Sequence, residues 1–215
     1  MEDLKKVFAG KLLGIKAIKL QPNDPFTWAS GWKSPFYCDN RKTLSFHDVR
    51  SFVKLELVHA ILENFPEATA VAGVATGAIA QGMLVADELA LPYAYVRPKP
   101  KDHGMKNQIE GELPAGSKVV VVEDLISTGG SSLKAVAALR EAGFEVVGMV
   151  ASYTYGFPVA EEAFREANVK LVTLTDYEHV VEKALETGYI KESEVSMLHD
   201  WRRSEEHTSE LQSQR

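Results

Sequence analysis

Short apolar runs alternate with amphipathic stretches along residues 68–176, and this pattern predicts the fold. Runs rich in β-branched residues predict strands, whereas apolar residues that recur every three or four positions predict helices. The predicted strands are 69–74, 93–97, 118–122, 146–151 and 169–174. The predicted helices are 79–89, 131–142 and 159–167. Because strands that alternate with helices are typical of parallel sheets covered on both faces, we expect an α/β fold with a central parallel sheet flanked by helices.

The chain before residue 66 follows a different pattern. Residues 2–13 and 52–62 are helical in period. Between them, aromatic residues punctuated by glycine, proline and aspartate predict a small antiparallel unit. We therefore expect a hood over about 15–45 and a core over about 66–176, within one domain that spans 1–203. The run 204–215 has no apolar period, so it predicts a disordered or non-native tail without a functional role.

Composition excludes several classes of protein. A formal net charge of -6 argues against a general binder of nucleic acid or of membrane surfaces. The single cysteine, Cys38, cannot form an internal disulfide, and acids and lysines interrupt the apolar residues of the N-terminus. No apolar run is long enough to span a membrane, and the histidines lack metal-ligand spacing. We expect a cytoplasmic protein without a protein-held metal cluster.

The stretch VVVVEDLISTGGSS, residues 119–132, is the most specific motif. A buried strand runs into two acids, a glycine turn and a helix, and ligands of open α/β sheets bind at the carboxyl ends of such strands. The turn offers hydroxyls and backbone N–H groups at a helix N-terminus, which favours an anion. These groups belong to Ser127, Thr128, Gly129, Gly130 and Ser131.

The two acids of this motif restrict the ligand. Glu123 and Asp124 would repel a phosphate unless they face neutral hydroxyls, whose protons they accept. A ribose 5-phosphate satisfies both requirements, with phosphate in the turn and the ribose hydroxyls at the acids. The alternative is an ordinary strand-turn-helix corner, in which serine and threonine only cap the helix.

Two further segments suit a polyphosphate ligand. Residues 95–112 carry five basic side chains between prolines and glycines, so we expect an irregular loop that acts as an active-site lid. Its basic residues are Arg97, Lys99, Lys101, His103 and Lys106. The strand-to-helix turn at Ala75, Thr76 and Gly77 offers a second anion site. The alternatives are a solvated basic loop and a common structural turn.

Together these segments resemble the orotate phosphoribosyltransferases, over about residues 15–202. The element EDLISTGGS, residues 123–131, is similar to the 5-phosphoribosyl-1-pyrophosphate (PRPP) motif of type I phosphoribosyltransferases in general. The lid residues Arg97 and 101–104, with NQIEG at 107–111, resemble the flexible loop of the orotate enzymes. FTWASGWKSPFYCDNR, residues 26–41, resembles their hood over the acceptor site.

This resemblance implies an enzyme that transfers the 5-phosphoribosyl group from PRPP to orotate. It implies that PRPP contacts residues 123–131, including Leu125 and Ile126, and that Ala75–Gly77 forms the pyrophosphate loop. It implies a homodimer in which Arg97, Lys101 and His103 reach PRPP from the neighbouring subunit, and it places Ser127 against orotate. The catalytic residues would be Lys101, His103 and Asp124. Mg²⁺ would be held mainly by substrate oxygens and waters, because it prefers few protein ligands.

Two positions depart from the pattern of some family members. Pro98 stands where some members have a lysine, and Lys99 follows it. SYTYGFP, residues 152–158, lacks the arginine that some members direct at orotate. The alternative functions are therefore transfer to another nucleobase, or a regulator that binds PRPP without catalysis. A sensor has no use for the lysine and histidine of the lid, which favours the enzyme.

Overall fold

The computed structural model describes residues 3–27, 33–98 and 108–205. Its N-terminal part contains α1 (Leu4–Gly14), a 3₁₀ helix (Asn40–Ser45), α2 (His47–Asn64) and four short strands. The strands are β1 (Ile18–Leu20), β2 (Phe26–Thr27), β3 (Lys33–Ser34) and β4 (Phe36–Cys38). They form two antiparallel pairs, β1 with β4 and β2 with β3. Antiparallel pairing was the prediction for this segment, although residues 40–45 are helical rather than extended.

A six-stranded sheet forms the core of the described chain. Its strands are β5 (Ala70–Val74), β6 (Tyr93–Val96), β7 (Ile109–Glu110), β8 (Lys118–Ile126), β9 (Glu145–Thr154) and β10 (Leu171–Asp176). The order is β10-β9-β8-β5-β6-β7, and each neighbouring pair is parallel except β6 with β7. The predicted α/β fold with a mainly parallel sheet is confirmed.

Helices cover both faces of this sheet. They are α3 (Ile79–Leu89), α4 (Gly130–Glu141), α5 (Pro158–Glu166), α6 (Tyr177–Glu186) and α7 (Glu192–Glu205). Successive side chains of a strand point to opposite faces, and the valines of β8 divide accordingly. Val120 and Val122 join a core with α1, α2, α3 and α6. Val119 and Val121 join a second core with α4 and α5. Burial on both faces explains why this strand is a continuous apolar run.

Three details differ from the sequence predictions. The segment 95–112 is not entirely irregular, because Ile109 and Glu110 form β7 and pair with Val96 and Tyr95. Helices α6 and α7 were not predicted, and in α7 only a narrow apolar stripe, Val195, Leu198 and Trp201, packs on the core. This helix continues to Glu205, so the first two residues of the predicted tail are helical. The rest of the tail lies outside the described residues.

Asp176 joins the sheet to two helices. It caps α6 by accepting from the backbone N–H of His179, and its Oδ2 lies 2.9 Å from Lys5 Nζ of α1. Burial raises the pKa of this carboxyl, but hydrogen bonds from His179 and Lys5 outweigh burial and lower the pKa overall. The carboxylate therefore stabilises the fold above its unfolded-state pKa, and this contribution is lost as the pH falls toward its folded pKa.

We expect Asp176→Ala to lower the free energy of unfolding by about 1 kcal/mol at neutral pH, the usual cost of losing an N-cap. Urea denaturation at pH 7 and pH 3 measures the effect, which should shrink at the lower pH as the wild-type carboxyl is protonated. Asp200→Ala, at an exposed position of α7, is the control and should change stability little. An equal loss at both pH values would contradict the role of the charge.

No helix of the described residues is both long and apolar enough to cross a membrane.

Candidate active site

The sheet topology defines where a ligand can bind. The chain passes from β5 through α3 to β6 on one side, whereas β8 lies on the other side of β5 and leads through α4 to β9. The strand order therefore reverses between β5 and β8. In open α/β sheets, the crevice beyond the carboxyl ends of strands at such a reversal is the usual ligand site.

A cavity of about 640 Å³ lies at this crevice. It is lined by residues at and after the carboxyl ends of β5 and β6, by two residues near the end of β8, by the first turns of α4 and by the hood. The lining includes most of the predicted site segments, namely Ala75, Thr76, Gly77, Arg97, Pro98, Asp124, Leu125 and Ser131. It also includes Asp39, Asn40, Arg41 and Lys134, which were not predicted. The predicted acid Asp124, the predicted pyrophosphate loop and one residue of the predicted phosphate turn, Ser131, therefore line the same cavity.

Asp124 lies against the turn that follows β5. A Cβ atom added to Gly77 would collide with the carboxylate of Asp124, so glycine at this position makes room for the acid. The Ala75–Thr76 peptide bond in the same turn is cis. The carboxylate thus lies against the predicted pyrophosphate loop.

The turn after β8 places a helix N-terminus at the cavity. Gly129 adopts φ +80°, a left-handed conformation that disfavours other residues, and a Cβ there would lie 2.8 Å from Phe164. Helix α4 begins at the next residue, and Ser131 of its first turn lines the cavity. An anion bound beside Ser131 would meet the positive end of the helix dipole. The anion site at this turn stays a prediction.

Glu123 is placed differently from its neighbour. It is buried, with Oε2 accepting from Ser132 Oγ at 2.7 Å and Oε1 accepting from the backbone N–H of Asp124 at 3.0 Å. Strand β8 extends to Ile126, so the side chains of adjacent residues 123 and 124 point in different directions. The predicted contact between Glu123 and a ribose hydroxyl stays a prediction.

The remaining predicted residues of the motif are not part of the cavity lining. Ile126 is fully buried in the core, and its carbonyl oxygen accepts from the backbone N–H of Tyr155 at 3.0 Å, so its contact with PRPP stays a prediction. The hydroxyl of Ser127 is buried without a hydrogen-bond partner among the described residues. Contacts of Ser127, Thr128, Gly129 and Gly130 with a ligand stay predictions.

Three cationic side chains line the cavity. Arg97 is half-buried, and its Nη1 lies 3.6 Å from Glu110 Oε1 of β7. Arg41 of the hood donates from Nε to Asp39 Oδ1 at 2.7 Å. Lys134 is exposed on α4, one turn after the phosphate site. Two carboxylates, Asp39 and Asp124, share the lining, so the cavity has an excess of positive side chains that suits an anionic ligand.

The predicted lid residues Lys99, Lys101 and His103 lie outside the described residues. The hood residues Trp28 and Trp32 also lie outside them. Cys38 lines the cavity and is buried, and burial raises the pKa of its thiol, with further contributions from Asp124 and Asp39. The thiol therefore stays protonated at neutral pH, which disfavours a role as a nucleophile.

The chain is similar over most of its length to known phosphoribosyltransferases. The phosphoribosyl transferase domain family matches residues 56–187. An orotate phosphoribosyltransferase of Bacteroides thetaiotaomicron is 68% identical over 207 residues, covering 96% of this chain and 98% of the relative. The chain belongs to the orotate phosphoribosyltransferase family. A relative with the same name in Bacillus subtilis is 53% identical and covers 94% of each chain.

Solved structures of this family share the fold. Orotate phosphoribosyltransferase from Aeropyrum pernix superimposes with a TM-score of 0.74 at 30% identity, covering 86% of this chain and 99% of that one.

The loop after β9 lacks an arginine of its own, but an arginine of α7 holds it by its backbone. Arg202 of α7 donates from Nε to the carbonyl oxygen of Tyr155 at 2.9 Å and from Nη2 to that of Gly156.

Proposed function

We propose that this protein transfers the 5-phosphoribosyl group from PRPP to orotate, giving orotidine 5′-monophosphate and pyrophosphate in de novo pyrimidine synthesis. The observation that carries the proposal is the cavity at the strand-order reversal, which is lined by Asp124, by the first turn of α4 and by cationic side chains. The acceptor is taken from the family to which the chain belongs. The expected cytoplasmic location belongs to the same proposal.

PRPP would bind with its phosphates at the positive groups of the cavity and its ribose hydroxyls at the acid. The 5-phosphate would accept hydrogen bonds from the N–H groups at the start of α4, and the ribose hydroxyls would donate to the Asp124 carboxylate. The pyrophosphate group would lie toward residues 75–77 and the side chain of Arg97. This orientation separates Asp124 from the phosphates, which it would otherwise repel.

The reaction consists of attack by N1 of orotate on C1 of PRPP as the bond from C1 to the pyrophosphate oxygen breaks, and the proton of N1 leaves to the pyrophosphate or to water. Positive charge develops on the ribose and negative charge on the leaving pyrophosphate, so fixed cations at the pyrophosphate stabilise the transition state. Arg97, together with Lys101 and His103 of the lid, would provide these cations. A closed lid would also exclude water, which competes with orotate for an oxocarbenium-like carbon.

Mg²⁺ is the cofactor that the family resemblance implies. The described residues contain no group of three or more histidine, cysteine or acidic side chains placed to hold a metal ion. Mg²⁺ would therefore be held mainly by substrate oxygens and waters, with Asp124 orienting it indirectly, which fits an ion that retains much of its hydration and needs few protein ligands. When bound, Mg²⁺ would neutralise part of the pyrophosphate charge.

A time course of orotate absorbance tests the proposed function. On mixing the protein with orotate, PRPP and Mg²⁺, we expect absorbance to fall while pyrophosphate appears in equal amount, and neither change should occur without PRPP. PRPP binding without consumption of orotate would instead favour a regulator that senses PRPP. Pyrophosphate formed only with another base would keep the donor chemistry and reject orotate.

The lid is proposed to act across a homodimer. Lys101→Ala should lower turnover about 10²- to 10³-fold, comparable to removing one transition-state donor. Mixing it with Asp124→Asn should restore about a quarter of wild-type activity, because half of the dimers are hybrids and one of their two sites is intact. Subunit exchange is checked with a tagged chain. Demonstrated exchange without recovery would show that the lid acts within its own subunit.

A further inference from the structure

The backbone of Asp124 is held by hydrogen bonds with side chains and not by strand pairing. The pairing of β8 with β5 ends at Val122, and the register of β8 with β9 passes from Glu123 to Leu125. The backbone N–H of Asp124 instead donates to Glu123 Oε1 at 3.0 Å. Its backbone carbonyl accepts from Asn40 Nδ2 of the hood at 2.7 Å. Two side chains therefore replace the missing strand contacts of this residue.

Asn40 is fixed in turn by a buried set of hydrogen bonds. Its backbone carbonyl accepts from Thr43 Oγ1 at 2.6 Å, and Thr43 Oγ1 accepts from Gln81 Nε2 at 3.3 Å. Gln81 Oε1 accepts from Ser152 Oγ of β9 at 2.9 Å. All four side chains are buried, at most 4% exposed. The set connects the hood, α3 and β9 to the acid of the cavity.

The orientation of the Asn40 amide follows from its neighbours. The Cys38 thiol lies 3.5 Å from Asn40 Oδ1 and can donate only weakly, while the carbonyl of Asp124 can only accept. A flipped amide would place two oxygens together at Asp124 and lose both interactions. The Cys38 thiol and the Asp124 carbonyl therefore both favour the orientation in which the NH₂ group of Asn40 donates to Asp124.

We infer that Asn40 is a positioning residue for the ribose site, an inference that rests on the proposed function. By holding the Asp124 carbonyl, it fixes the direction in which the Asp124 carboxylate enters the cavity beside Gly77. A group that acts on a transition state must be held within a fraction of an ångström, so loss of this hydrogen bond affects turnover more than stability. The same bond links the hood, which covers the acceptor side, to the residue that orients the donor.

Asn40→Ala tests this inference, with Thr175→Ala as the matched control. Thr175 is also fully buried, and its Oγ1 makes one long-range hydrogen bond, to the carbonyl of Lys5 at 2.8 Å, outside the cavity. Both variants lose one buried hydrogen bond between distant elements and should lower the Tm by similar amounts. We expect only Asn40→Ala to lower kcat, by about 10- to 100-fold, and to weaken PRPP binding measured by titration calorimetry.

A double variant separates positioning from a general structural effect. In an Asp124→Asn background, Asn40→Ala should lower kcat less than about 3-fold further, because the carboxylate that it positions is already neutral. If Asn40→Ala does not fold, Thr43→Val removes the hydroxyl that holds Asn40 and should give a smaller loss of the same kind. Equal activity of Asn40→Ala and Thr175→Ala, or an undiminished effect in the double variant, would overturn the inference. An inactive wild-type protein would instead refute the proposed function. In that case PRPP binding still tests the inference, because unchanged PRPP affinity in Asn40→Ala would overturn it.

Discussion

Replacing Asp124 with asparagine should lower turnover about 10²- to 10³-fold while leaving the Tm nearly unchanged. The amide keeps the shape of the side chain, but it removes the negative charge that would accept the ribose hydroxyl protons. The hydrogen bonds that Asn40 and Glu123 make to this residue use its backbone atoms, so they survive the substitution. Steady-state kinetics with orotate and PRPP, together with thermal unfolding, measure the two effects.

Asp87→Asn is the control for this prediction. Asp87 is exposed on α3 and does not line the cavity, so the same change of charge should affect neither activity nor stability. Wild-type turnover in folded Asp124→Asn would remove Asp124 from the proposed mechanism. A large fall in the Tm would show that the carboxylate supports the fold instead of the ligand.

The second large effect concerns the choice of base. A site that binds the carboxylate of orotate should prefer orotate over uracil by at least about 10³-fold in kcat/KM. With uracil, the donors that meet this carboxylate would be left desolvated and unpaired. Because residues 152–158 lack the arginine of some relatives, these donors must be backbone N–H groups, Ser127 or hood residues near Lys33.

Steady-state assays with orotate, uracil, adenine and hypoxanthine test this prediction at equal PRPP concentration. Uracil differs from orotate only in lacking the carboxylate, so it isolates the contribution of that group. Comparable efficiency with uracil, or a preference for a purine, would reject orotate as the acceptor. It would leave the proposed chemistry of PRPP unaffected.

The sequence predicts the sheet well because its strands are buried on both faces. The valine run of β8 predicts a strand buried on both faces, and the glycines after it predict the turn that leads into α4. Helix α7 was missed because only a narrow apolar stripe, Val195, Leu198 and Trp201, contacts the core. The rest of that helix is polar, so tertiary packing decides its structure more than local periodicity does.

Other parts of the site depend on contacts between distant residues. Asn40 meets Asp124 across 84 positions, and nothing in the local sequence of the hood signals this pairing. Lys134 was detectable, since a lysine one helical turn after a phosphate turn is close enough to reach an anion. The different environments of Glu123 and Asp124 were also detectable, because adjacent strand residues face opposite sides. The prediction ended that strand at residue 122, and the structure extends it to Ile126.

The crystal structure of the protein with PRPP and Mg²⁺ tests the central claim most directly. We expect the 5-phosphate within hydrogen-bond distance of the backbone N–H groups of residues 127–131. We expect the ribose hydroxyls at the Asp124 carboxylate and the pyrophosphate toward Gly77 and Arg97. PRPP bound outside the cavity, or inside it with its ribose hydroxyls away from Asp124, would contradict this account.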